Sequence, residues 1–119
     1  MPRSLVAVAA AVLLAAGTWH LSLVSAFPGK DEVVAVPLSK VALTFSAPVN
    51  IKLSAVSILA QDSTEVAKLS VTPGTKPTIV EGKLARPLPA GRYLVRWRTA
   101  GADGHAIRGT HAFAINPVE

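Results

Sequence analysis

Cysteine is absent, and methionine occurs only once, as Met1. The first absence removes disulfides and thiolate metal centres. The second leaves no thioether site for a soft ion such as Cu(I) once the first residues are gone. Any metal held by this chain must therefore sit among nitrogen and oxygen donors. Aromatic residues make up only 5% of the chain, and the basic residues beyond Arg3 are scattered from Lys30 to Arg108 without a dense run. Twelve basic against seven acidic side chains give a net charge of +5. Dispersed cations with few aromatics between them do not make a nucleic-acid footprint, so no nucleic-acid partner is expected and Arg96 and Arg98 read as solvated charges. Gly-x-Ser-x-Gly, the phosphate loop, His-Glu-x-x-His and Cys-x-x-Cys are also missing, which excludes the familiar enzyme signatures.

What is present begins with a short positive start, Met1-Pro2-Arg3, followed by an unbroken apolar run from Leu5 to Ala16 and small residues at Ala15, Ala16 and Gly17. That is the layout of a secretory signal peptide, and the run falls short of the roughly 20 residues a spanning helix needs. Residues 1–19 are accordingly assigned to a signal peptide, with cleavage after Gly17 or after Trp19, and residues 20–119 to one exported domain. An uncleaved membrane anchor is the alternative, since apolar residues continue at Trp19, Leu21 and Leu23. About 100 residues suffice to bury a core without disulfides.

From residue 20 onward the apolar pattern has a period of two, broken every eight to fifteen residues by Pro, Gly, Asn or Asp. Strands are expected at His20–Val24, Val41–Ser46, Val56–Ala60, Glu65–Val71, Thr78–Leu84, Tyr93–Thr99 and Ile107–Ile115. Seven short strands with regular turn signals and no helical stripe predict an all-β antiparallel sandwich or Greek-key barrel. Tyr93, Val95, Trp97 and Thr99 share one face of the sixth strand, which makes Trp97 a core aromatic.

Between the two strongest strands lies Ala102-Asp103-Gly104-His105. In extended backbone, residues two apart project to the same side, so Asp103 and His105 can converge on one point while Gly104 lets the chain bend. A solvated Asp-x-His pair is the plain alternative. His20 adds weight to the metal reading, because an N-terminal His offers its α-amine and its imidazole to one ion. With His105 nitrogen and Asp103 oxygen this makes the tetragonal N,O environment that Cu(II) prefers. His111 shares a strand face with Phe113 and Ile115 and is expected to be half-buried with a hydrogen-bond partner.

The segments His20-Leu21-Ser22-Leu23-Val24-Ser25, Val41-Ala42-Leu43-Thr44-Phe45-Ser46-Ala47-Pro48-Val49 and Leu88-Pro89-Ala90-Gly91-Arg92-Tyr93-Leu94-Val95-Arg96-Trp97-Arg98, with Ala102-Asp103-Gly104-His105 and Gly109-Thr110-His111-Ala112-Phe113, resemble the CopC family of periplasmic copper-resistance proteins. The resemblance spans about residues 20–115. It implies a seven-stranded, cupredoxin- or immunoglobulin-like Greek-key β-barrel in the periplasm that carries copper without catalysis, one Cu(II) per chain. It maps the ligand roles onto His20, Asp103 and His105. The candidate partner is an inner-membrane copper transporter, and the chain itself is expected to be a monomer. Some family members hold Cu(I) in a Met-rich loop, but residues 52–77 here contain neither Met nor His, so a Cu(II)-only version is inferred.

Two alternatives stay open. Cleavage after Gly17 leaves Thr18-Trp19-His20, whose amine, two backbone amides and imidazole can wrap Cu(II) in a plane of four nitrogens without Asp103 or His105. Competing functions are a copper-dependent oxidase or monooxygenase with a His-brace site and a metal-free β-sandwich interaction domain.

Overall fold

Strand β3 (Lys40–Phe45) shows how alternation becomes a fold: Val41, Leu43 and Phe45 are no more than 2% exposed, while Lys40 between the turn and the core faces solvent. The same rule recurs through a computed structural model that describes residues 20–35 and 37–116; the expected signal segment 1–19 lies outside the described residues. The other strands are β1 (Leu23–Phe27), β2 (Glu32–Ala35), β4 (Ala55–Ala60), β5 (Glu65–Lys68), β6 (Ser70–Pro73), β7 (Ile79–Lys83), β8 (Gly91–Ala100) and β9 (Ala106–Asn116). They form two sheets, one four-stranded in the order β1-β3-β7-β6 and one five-stranded in the order β2-β9-β8-β4-β5. The inner faces meet in one core that includes Val41, Leu43, Phe45, Val56, Ile58, Val80, Val95, Trp97, Phe113 and Ile115. The all-β sandwich expected from the sequence is thus the fold.

The strand count differs from the expected seven, and each difference has a local cause. Glu65–Val71 reads as one strand but is two, because the chain leaves the five-stranded sheet at Lys68 and joins the other sheet at Ser70. Leu69 makes the crossing: it is 5% exposed and donates its N–H to the Val56 carbonyl at 3.0 Å. Strand β2 has no strong alternation to read, since only Val34 of its four residues is buried. It pairs in parallel with β9, from Glu32 opposite Phe113 to Ala35 opposite Asn116, so the five-stranded sheet is mixed and not purely antiparallel. The first strand starts at Leu23, later than the expected His20. The 3-10 turn Ile51–Leu53 is capped by Asn50, whose side chain accepts from the Lys52 N–H.

Two devices hold the sheets in register. Tyr93 Oη donates to the Pro89 carbonyl at 2.7 Å, a tyrosine corner that ties the crossover from β7 to the start of β8. Phe45 and Trp97 meet edge to face across the core with ring centroids 5.2 Å apart, the geometry aromatic quadrupoles favour.

Candidate metal centre

Strands β8 and β9 form the longest ladder of the fold, running from Gly91 opposite Ile115 up to Ala100 opposite Ala106. Their connection, residues 101–105, is therefore a hairpin tip held on a stiff two-stranded arm. The Gly104 N–H bonds the Gly101 carbonyl at 3.0 Å, closing a tight turn. Gly104 has φ +81°, the left-handed region that glycine enters without a side-chain penalty. That turn brings Asp103 and His105 into direct contact. Asp103 Oδ1 accepts the His105 backbone N–H at 3.0 Å, and Asp103 Oδ2 lies 2.8 Å from His105 Nδ1.

The two residues thus do more than face the same way. The carboxylate meets the ring at Nδ1, so an oxygen and a nitrogen donor face one point on the tip. Both side chains are exposed, at 68% for Asp103 and 88% for His105. The His105 ring bond, followed by its backbone bond, holds the Asp103 carboxyl below the usual carboxylate value. The same side-chain bond raises the His105 imidazole above its ordinary value.

The root of the hairpin is fixed from a third direction. Val49 bridges Gly101, and the Asn50 N–H bonds the Ala100 carbonyl at 2.8 Å. Ser54 Oγ lies 2.7 Å from Thr99 Oγ1, where Thr99 is only 1% exposed. This bracing by Val49, Asn50 and Ser54 joins residues distant in the chain and has no local signature in the sequence.

His20 is exposed, and among the described residues no three His, Asp or Glu side chains are gathered as a metal site would need. Asp103 and His105 are therefore brought together, and His20 is not joined to them as a third side chain. Its neighbour is close, however. Leu21 Cδ2 lies 3.7 Å, and Asp103 Oδ1 3.5 Å, from the point where a Cβ on Gly101 would stand. Next to Leu21, Ser22 is clamped to Ser46, its N–H on Ser46 Oγ at 3.0 Å and its carbonyl on the Ser46 N–H at 2.9 Å. The start of the domain is thus anchored beside the hairpin tip. His111 is half-buried, and its Nε2–H donates to the Pro28 carbonyl at 2.8 Å. That is the structural role expected of it.

The description of the CopC domain matches residues 23–116 of this chain. Copper resistance protein C of Escherichia coli is 32% identical over 103 residues, covering 81% of each chain. Among solved structures, CopC from Methylosinus trichosporium OB3b superposes with a TM-score of 0.77 at 30% identity, over 84% of this chain and 97% of that one. PcoC, a methionine-rich copper resistance protein from Escherichia coli, does so with a TM-score of 0.72 at 30% identity, over 82% and 100%.

Proposed function

We propose that this chain, which belongs to the CopC family, is a periplasmic copper-resistance protein that carries or buffers one Cu(II) ion at the β8–β9 hairpin tip. The ligands are His20, Asp103 and His105. The observation that carries this reading is that the hairpin turn brings an oxygen and a nitrogen donor together on an exposed tip, Asp103 Oδ2 2.8 Å from His105 Nδ1. Leu21 beside Gly101 supports His20 as the third ligand, because it puts the preceding residue within reach of the tip. Imidazole nitrogens, an α-amine and a carboxylate oxygen form a donor set suited to Cu(II). The methionine-rich relative contrasts with this chain, whose only Met is Met1; that supports Cu(II) and leaves no thioether donors for Cu(I). Copper is cargo in this reading, and the protein performs no turnover. An inner-membrane copper transporter is the candidate recipient.

The test is a titration of purified exported protein with Cu(II), after its first residue is read from intact mass. One equivalent should bind, and His105→Ala should weaken binding at least a hundredfold. Undiminished binding in His105→Ala, with loss in His20→Ala, would replace this site by the four-nitrogen wrap at Thr18-Trp19-His20. No binding at all would remove the copper reading.

A further inference from the structure

The outer face of the five-stranded sheet is where the scattered cations come together. Arg96 and Arg98 of β8, Arg108 of β9 and Lys68 of β5 surround a shallow groove floored by Ala55 and Ser57 of β4. The ladder registers explain the convergence: Ser57 stands opposite both Arg96 and Lys68, and Arg98 stands opposite Arg108. Residues far apart in the chain, and separated by apolar inward positions, are thus aligned on one surface.

One feature of this face works against stability. Like charges directly opposite one another on adjacent strands repel, and Arg98 and Arg108 are such a pair. Among the described residues neither they nor Lys68 has a carboxylate partner; the groove's single ion pair is Arg96 to Glu65 at 3.2 Å. That pair also shows that a carboxylate fits between the strands here. Three of the four cations are arginines, whose planar guanidinium takes a carboxylate through two parallel N–H donors.

The position of the groove matters as much as its charge. The Arg98–Arg108 rung lies two residues below the Ala100–Ala106 rung that closes the hairpin bearing Asp103 and His105. The cationic surface therefore runs up to the tip that carries Asp103 and His105. Among the described residues, none of the exposed large apolar side chains (Val24, Phe27, Val33, Leu53 and Val66) lines the groove, and Trp97, which does, is only 7% exposed.

We propose that this face docks a carboxylate-rich segment of a partner protein and so presents the hairpin tip to that partner. The link to metal delivery rests on the copper reading above; the docking itself does not. Complementary charge of this kind raises the rate of encounter and sets orientation.

The test uses metal-free exported protein and a fluorescent hexaglutamate peptide at low salt, with Cu(II) titrated separately. The peptide should bind, with amide NMR shifts confined to β4, β5, β8 and β9, and binding should fall as salt rises. Arg98→Glu should weaken it at least tenfold while leaving Cu(II) affinity unchanged. It should also keep or raise the Tm, because an opposite-charge pair replaces a repelling one. Lys76→Glu, which changes net charge equally but lies outside the groove, should leave peptide binding within twofold. Absence of binding, equal loss in both variants, or attachment to phosphatidylglycerol vesicles without attachment to the peptide overturns the proposal. Peptide docking by a protein that fails to take Cu(II) would uphold the docking face and remove the copper reading instead.

Discussion

The indole of Trp97 lies directly over Gly109, its partner across the β8–β9 ladder. A Cβ at Gly109 would come within 2.7 Å of indole Cε2 and 3.0 Å of Nε1. The ring cannot retreat, because its other side meets Phe45 edge to face and only 7% of the residue is exposed. Glycine here is a matter of space: the backbone of β9 forms one wall of the tryptophan site.

Gly109→Ala should therefore destabilise the domain by about 1–3 kcal/mol, the usual cost of overpacking a closed core. Denaturant unfolding followed by Trp97 fluorescence measures it. An unchanged midpoint would mean that the ring has room to move.

The pH dependence of the site follows from Asp103. Copper takes an unprotonated imidazole, and the side-chain bond from Asp103 raises the pKa of His105, so protons compete up to a higher pH than for an ordinary histidine. Binding should fall as pH drops through that raised value. In metal-free protein, Asp103→Asn should shift the His105 NMR titration midpoint downward, towards the ordinary value. Salt should shrink the difference, since both groups are exposed and screened. An unmoved midpoint would show that the contact is not made in solution.

Thr99 supplies a test of the brace beneath the tip. Thr99→Val keeps the shape of the buried side chain but removes the hydroxyl that meets Ser54, while Ser54 retains its bond to the Asn50 carbonyl at 2.9 Å. A loss of about 1 kcal/mol is expected, the net worth of one hydrogen bond. Thermal unfolding of Thr99→Val beside Ser54→Ala and the double variant measures the coupling; additive losses would deny it.

Leu69 carries the crossing between sheets, and its side chain packs on Gly82, where a Cβ would stand 2.8 Å from Leu69 Cδ2. Leu69→Ala should cost about 2–5 kcal/mol, as for other buried leucines. Chemical denaturation would show it as a lower midpoint with an unchanged slope. A variant as stable as the parent would mean that the Leu69 side chain is not closely packed at the crossing.

The long strands were legible because a half-buried strand advertises its inner face every second residue: Tyr93, Val95, Trp97 and Thr99 all prove buried, as do Phe113 and Ile115. The Asp103–Gly104–His105 contact was legible for the same local reason, a two-residue spacing with a glycine between. Strand β2 was not, since three of its four side chains are exposed and its pairing with β9 joins residues some 80 apart. Nor was the break at Leu69, because a strand that changes sheets keeps its extended backbone and its composition.

The amino-acid sequence by itself determined the all-β class, the inner faces of the long strands, a nitrogen- and oxygen-only donor set and the Asp103–His105 pair. Each depends on residue identity or on spacing within a few positions. Only the tertiary structure decided which sheet each strand joins and that Val49, Asn50 and Ser54 brace the hairpin root. It also decided that Leu21 settles beside Gly101 and that Arg98 and Arg108 face each other below the tip. These rest on register between distant strands, which is set when the two inner faces pack together, and no local pattern encodes it.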